Sequence, residues 1–375
     1  MASVTFKNMY RKYKHWKNPD EELIAVSDFN LEVKDGEVIV LVGPSGCGKS
    51  TTLYMLAGLE KIDEGELYID GKLMNNVEPK DRGLALVFQN YALFPHMTVY
   101  ENIAFGLKPD ELPEAEIKEK IDEIAKYFDI THLYDRKPRQ LSAGQQQRVA
   151  LARAMIKEHK IILLDEPLAN LDTKLRLYMR IELMKMHKKF KSTYIYVTHH
   201  QAEAMAIADR IVVMKDGVIQ QVGTPEEIYK HPQCLFVAAF MGYPQMNFWD
   251  TKITEQDGGI FIELSGTKIK LPEDKTAQAA AYINKEVFAG IRPEDLYEDD
   301  ASIKRFKDSV MQIEVEVREY IGDTVYLHFS DPFSYGLAVR VSPDCPAKSG
   351  DKIKIAVNPD KIYLFARDTE LAIFN

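Results

Sequence analysis

Gly43-Pro44-Ser45-Gly46-Cys47-Gly48-Lys49-Ser50 is the stretch whose reading decides the fold. It has the spacing G-x-x-x-x-G-K-S, follows an apolar run at 38–42, and precedes a helix-like segment at 50–59. Strand, glycine loop and helix, in that order, are the setting in which this spacing cradles phosphate. The glycines let the backbone wrap tightly, so successive N–H groups and the helix start point at negative charge. Lys49 is expected to reach the β- and γ-phosphates of a triphosphate, and the Ser50 hydroxyl to complete the Mg2+ shell. Thr51 and Thr52, opening the same helix, join the expected phosphate-binding set. Cys47 is read as a small residue whose N–H matters, not as a redox centre.

Outward from this loop, short apolar runs at 84–88, 161–164, 194–197 and 211–214 read as further buried strands. Between them lie amphipathic helices. One carries Ile117, Ile121, Ile124 and Phe128 on one face, another Leu175, Met179, Leu183 and Met186. Strands alternating with helices imply an α/β fold with a largely parallel sheet covered on both sides. Thr224-Pro225-Glu226-Glu227 announces one more helix, with a capping threonine, a proline at the first position and a closing glutamate. After about Gly242 the pattern changes to period two, at 258–271, 311–329, 335–341, 352–357 and 361–365. There Met311, Ile313, Val315 and Val317 are expected to share one face of a small β-barrel.

The 375 residues are too many for one compact core, which predicts two domains, at 1–238 and 239–375. A net charge of -9 argues against a nucleic-acid partner, which normally meets a basic face. The three widely spaced cysteines fit no disulfide framework and no paired zinc pattern, and point to a reducing compartment. Met1-Ala2-Ser3-Val4 does not read as a secretion signal, and no run approaches the roughly 20 apolar residues of a membrane span. If membranes matter, another chain is expected to span them.

A phosphate loop fixes the ligand class but not the task. Ile161-Ile162-Leu163-Leu164-Asp165-Glu166 supplies two adjacent carboxylates at a strand end, Asp165 suited to hold Mg2+ and Glu166 to activate water. Leu141-Ser142-Ala143-Gly144-Gln145 places a serine and small residues at the start of a helix running from Gly144 to about Lys157. Its exposed N–H groups and positive dipole end form an anion site awaiting a phosphate.

With these motifs in this order, the chain resembles the ABC-type ATPases. The resemblance implies that Ser142, Ala143, Gly144 and Gln145 close over the ATP held by a second subunit, and that hydrolysis needs two such domains head to tail. It makes 91–157 a helical subdomain. Gln89 resembles the Q-loop glutamine that senses Mg2+ and the attacking water, so it joins Ser50 and Asp165 in the metal set. Ala169-Asn170-Leu171-Asp172 resembles the D-loop at the dimer interface, with Asp172 in the nucleotide set. His199, in Tyr196-Val197-Thr198-His199, resembles the switch histidine on the γ-phosphate. Catalysis is thus assigned to Glu166, His199, Lys49 and Gln89. Tyr13 stands where the family stacks an aromatic on adenine, with Trp16 as its rival, and Ala25 joins the nucleotide-binding set.

Three motifs depart from the family's pattern, with Ala143 for the first signature glycine, His200 for an aspartate, and Ala169-Asn170 for Ser-Ala. The alanine costs energy if its position needs a positive φ. Adjacent histidines on a strand would point to opposite faces, so His199 and His200 are not expected to chelate together.

Over its whole length the chain is most similar to the ATPase subunits of maltose and multiple-sugar importers. Residues 240–248 resemble the junction before that family's regulatory OB-like domain, and 290–296 a motif within it. The resemblance implies a homodimer or a pair of similar ATPase subunits at the cytoplasmic face of the membrane. It also implies two transmembrane permease subunits and, indirectly, an extracytoplasmic sugar-binding protein. Residues 91–96 and Met205 are expected to meet a permease helix, with His96 a contact residue. Glycerol phosphate, polyamines or oxyanions are alternative solutes, and a nucleic-acid-binding switch ATPase is a reading from another class.

Overall fold

The computed structural model describes residues 2–14, 22–107, 112–331 and 334–374, in two compact units, Met1–Pro225 and Glu226–Asn375. In the first unit the strands are β1 (Val4–Lys14), β2 (Glu22–Val33), β3 (Val38–Val42), β4 (Glu64–Ile69), β5 (Lys72–Leu73), β6 (Leu84–Val87), β7 (Ile161–Asp165), β8 (Thr193–Val197), β9 (Arg210–Lys215) and β10 (Val218–Gly223). The helices are α1 (Lys49–Ala57), α2 (Val99–Ala104), α3 (Glu114–Tyr127), α4 (Ala143–Met155), α5 (Thr173–Phe190) and α6 (Gln201–Ile207).

The central sheet has the order β10-β9-β3-β8-β7-β6. All neighbours pair parallel except β10, which pairs antiparallel to β9. Every residue of β3, β7 and β8 is buried. Such continuously buried, mostly apolar runs suit a sheet covered on both faces, as the sequence predicts. Each fully buried Leu or Ile adds about 1.5–3 kcal/mol relative to exposure. The register aligns Leu41 with Val197, Val197 with Asp165, and Leu164 with Val87. The carboxyl ends of four adjacent strands therefore stop at one level, where ligands of open α/β sheets bind. A second, antiparallel sheet, β2-β1-β4-β5, flanks this core.

Within 91–157, α2, α3 and α4 bury Ile103, Ile121, Ile124, Ala125, Val149 and Leu151. Fully buried Asn102 knits the preceding loop. Its side chain accepts from Phe94 N–H (2.8 Å) and donates to Thr98 C=O (2.9 Å) and Phe94 C=O (3.2 Å). Thr98 and Glu101 close a capping box at the start of α2.

The second unit pairs its strands antiparallel throughout, among the described residues, around Trp249, Ile262, Leu264, Val287, Leu327, Val339 and Leu364. Arg292, 2% exposed, donates to the carbonyls of Met241 (2.8 Å) and Tyr229, and its guanidinium lies over the Tyr229 ring. The 290–296 motif is thus an internal anchor of this unit.

One expected face is corrected. Met311, Ile313 and Val315 are buried, but Val317 is 55% exposed. The strand Val310–Glu314 pairs with Lys352–Val357, and a new strand, Val317–Tyr320, pairs with Val325–Asp331. The change of partner between them breaks the alternation.

Candidate active site

The phosphate loop joins β3 to α1. Gly43 has φ 156°, and a Cβ there would stand 2.2 Å from the Met214 carbonyl oxygen. Gly48 has φ 97°, with a Cβ 2.3 Å from the Ala25 carbonyl oxygen. These two glycines are required by the close approach of two neighbouring backbones, and Ala25 is brought to the loop through its own carbonyl. Lys49 is buried, its ammonium donating to the carbonyls of Gly43 (2.8 Å) and Pro44 (2.8 Å). The cation is therefore held inside the loop's curve. Thr52 spends its hydroxyl (3.0 Å) and its N–H (2.9 Å) on the Gly48 carbonyl, so it braces the loop. Burial pushes the Cys47 thiol above its ordinary pKa, so it stays protonated.

Gly48→Ala is expected to lower Tm and weaken nucleotide binding together. A left-handed φ and a backbone clash add to a cost of at least about 2 kcal/mol. Thermal melts with and without ATP check this, and an unchanged Tm and affinity would show that the loop relaxes around the methyl.

Next along the sheet edge, Asp165 is almost fully buried. Its Oδ1 accepts from the Ser50 hydroxyl (2.8 Å) and its Oδ2 from the Tyr54 hydroxyl (2.6 Å). Burial and the adjacent carboxylate push the Tyr54 phenol well up, so it remains a donor. A hydroxyl and a carboxylate side by side are hard oxygen ligands of the type Mg2+ takes, so the residues present fit that ion. Tyr54 is absent from the expected set, although it sits one helical turn after Ser50 and thus on the same face.

Glu166 follows with φ 45°, a left-handed conformation that costs a non-glycine residue on the order of 1 kcal/mol. Its N–H donates to Val197 C=O at 3.0 Å. This turn aims the carboxylate away from β7. Glu166 Oε2 accepts from the Gln89 amide (3.0 Å) and stands 3.1 Å from His199 Nδ1. Gln89, Glu166 and His199, from the loops after β6, β7 and β8, therefore meet. The His199 and His200 rings lie 4.1 Å apart, which corrects the expectation of opposite faces. The strand ends at Val197, and both rings lie in the turn into α6, where period-two alternation no longer applies. Among the described residues no group of three or more His, Cys, Asp or Glu is arranged to hold a metal.

Ser142 caps α4. Its hydroxyl accepts from Gln145 N–H (3.4 Å), and the Gln145 side chain accepts from Ser142 N–H (3.0 Å). Ser142 and Ala143 are exposed at the helix start. Ala143 is the first helical residue and has no positive φ, so the alanine in place of glycine strains nothing. Gly144 is tighter, since a Cβ there would stand 2.4 Å from Leu175 Cδ2. Asp172 caps α5 by accepting from Leu175 N–H (3.0 Å), and Asn170 donates to Gln89 C=O (3.0 Å), tying two of the loops together.

Tyr13, half-buried near the end of β1, has the Arg11 guanidinium 4.2 Å from its ring centroid. Arg11 in turn pairs with Glu60 (3.0 Å) and Asp63 (2.9 Å), in the segment after α1. Trp16 lies outside the described residues. Beside the Gln89 loop, Tyr91 and Ala92 both take a positive φ, and their carbonyls each accept from Arg153 at 2.9 Å. Phe94 and Phe105 meet with ring centroids 4.4 Å apart and planes tilted by 50°, Phe105 being 58% exposed, and His96 is exposed beside Phe94. No helix among the described residues is long and apolar enough to cross a membrane.

Comparison with known proteins gives this geometry its context. Residues 26–169 match the family model described as ABC transporter, 242–296 the MalK OB fold domain, and 289–365 the TOBE domain. The chain is 46% identical over 375 residues to the oligosaccharides import ATP-binding protein MsmX of Bacillus subtilis (strain 168), with 100% of both chains covered. It is 43% identical over 385 residues to the multiple sugar-binding transport ATP-binding protein MsmK of Streptococcus mutans serotype c, again with 100% of both covered. To the osmoprotective compounds uptake ATP-binding protein GgtA of Synechocystis sp. it is 40% identical over 374 residues, 100% of both. Among solved structures, the dimeric post-hydrolysis state of the ATP-binding cassette MJ0796 bound to ADP and Pi matches with a TM-score of 0.54 at 33% identity. That match covers 59% of this chain and 98% of that one.

Proposed function

The chain belongs to the ABC transporter ATP-binding family, and from that premise we propose that it is the ATP-hydrolysing subunit of a carbohydrate importer. The observation that carries the catalytic part is the convergence of Gln89 and His199 on one carboxylate oxygen of Glu166, the residue next to Asp165. Full-length similarity to two sugar-import ATPases supports the substrate class.

In this reading Lys49 and the N–H groups of 45–50 bind the triphosphate, and Tyr13 stacks on the adenine. Ser50, Asp165 and Gln89 hold Mg2+, which when bound neutralises charge on the transferred phosphate. Glu166 takes the proton of the attacking water, and Gln89 and His199 fix where its carboxylate stands. His199 also hydrogen-bonds the γ-phosphate. The Ser142–Gln145 helix start and Asp172 of a second copy complete the site, because an exposed capped helix start is a ready anion site. ATP thereby draws two copies together and hydrolysis releases them. Residues 1–238 form the ATPase part and 239–375 a regulatory part.

The partners in this proposal are two membrane-spanning permease subunits, served from the cytoplasmic face. The exposed Phe94–Phe105 shelf and His96 offer one of them an aromatic seat. The transported solute never touches this chain, so its identity is tested on the assembled complex. ATPase activity in proteoliposomes is expected to rise severalfold when an oligosaccharide-loaded binding protein is added. Stimulation by an osmolyte-loaded binding protein alone would overturn the sugar assignment and leave the ATPase assignment intact.

A further inference from the structure

A buried carboxylate outside the reacting set joins the Ala169–Asp172 loop to the His199 turn. Glu203, on α6, is 3% exposed. Its Oε2 accepts from the Thr198 hydroxyl (2.9 Å) and the Tyr196 hydroxyl (2.8 Å). The Thr198 hydroxyl oxygen in turn accepts the His200 N–H at 3.0 Å, so His199 is flanked on both sides by residues that this carboxylate fixes. On the opposite side stands Arg176 of α5. Its Nη2 donates to the Leu171 carbonyl at 2.9 Å, inside the 169–172 loop. Its Nε faces Glu203 Oε1 at 3.8 Å. Both of these facing atoms are buried and make no hydrogen bond.

That last pair is the informative one. A buried charge is costly unless it is paired and hydrogen-bonded, and here the pairing is half made. Closing the 3.8 Å gap by about 0.9 Å would complete a charge-assisted hydrogen bond. On its far side the Arg176 guanidinium is tied to the 169–172 loop through the Leu171 carbonyl.

We propose that Arg176 and Glu203 are positioning residues that relay the state of the 169–172 loop to the His199 imidazole. This rests on the reading in which that loop meets a second copy of the chain. When the second copy engages the loop, the Leu171 carbonyl moves, Arg176 closes on Glu203, and the carboxylate resets Thr198 and the turn that carries His199. His199, which already stands 3.1 Å from Glu166 Oε2 in the single chain, is then held rigidly there in the paired state. The phosphate loop, which carries most of the ATP contacts in that reading, lies on β3 and α1 and so off this route.

The test is steady-state ATP hydrolysis by the full-length chain, with Glu203→Gln, Arg176→Met, the double variant, Thr198→Val and Glu166→Gln measured in parallel. Each of Glu203→Gln, Arg176→Met and Thr198→Val is expected to lower kcat about tenfold with KM for ATP within twofold. The double variant is expected to be no slower than the worse single one, since both break the same relay. Multiplicative losses, or kcat and KM moving together, would overturn the relay. If Glu203→Gln fails to fold, Thr198→Val decides alone, because it keeps volume and removes only the bridging hydroxyl. A native rate in Thr198→Val would then sink the proposal. A native rate in Glu166→Gln would instead sink the underlying site, so the two failures are distinguishable.

Discussion

Glu166→Gln is expected to cut ATP turnover at least a hundredfold while leaving ATP affinity within a few-fold of the native value. The substitution preserves shape and removes the one carboxylate placed among Gln89 and His199. A positioned general base contributes about 10²–10⁴ in rate, which sets the size of the loss. The phosphate loop itself is not touched, because Lys49 is held by Gly43 and Pro44 and Ser50 by Asp165. With binding intact and hydrolysis blocked, the paired state accumulates. Light scattering with MgATP is expected to report a dimer that persists for the variant and dissociates on turnover for the native chain. Phosphate release at the native rate would remove Glu166 from the role of base.

Lys49→Ala acts at the other end of the reaction, on binding. The ammonium is 5% exposed and aimed into the loop by two carbonyls. Charge-assisted hydrogen bonds to phosphate contribute roughly 1.5–3 kcal/mol each, and this residue supplies more than one. ATP affinity is therefore expected to fall at least about tenfold to a hundredfold, with hydrolysis lost at ordinary ATP concentration. The native chain's Tm is expected to rise with added ATP and the variant's to rise far less, as binding linkage requires. An unchanged ATPase rate would count against the phosphate loop as the nucleotide site.

The contrast between these variants and Glu203→Gln separates three parts of the machine. Lys49 moves affinity, Glu166 moves the chemical step, and Glu203 moves the step without reaching the nucleotide. Ala143 stands apart from all three. Its place at the first position of α4 carries ordinary helical geometry, so restoring glycine there is a change without a strain to relieve.

Much of this was legible in the residues. The G-x-x-x-x-G-K-S spacing, the apolar runs of β3, β7 and β8, and the paired Asp165-Glu166 place the α/β sheet and its ligand edge, because local periodicity and backbone demands are written in order along the chain. Other features were hidden. Val317 changes strand partner, and period two reads as continuous across such a change. His199 and His200 come together because they lie beyond the strand end at Val197, in the turn into α6. Tyr54 on Asp165 and Arg176 facing Glu203 join residues far apart in sequence or on different helices, for which spacing carries no signal.

By itself, then, the sequence determined which elements form, which of them carry glycine, lysine and carboxylate at their ends, and what ligand such ends attract. Only the tertiary structure decided that the ends of β3, β8, β7 and β6 lie side by side. That adjacency brings Ser50 against Asp165, and Gln89 and His199 against Glu166. The physical reason is that strand order is set by long-range pairing and by how the intervening helices cover both faces of the sheet. These are contacts between segments that no local pattern encodes.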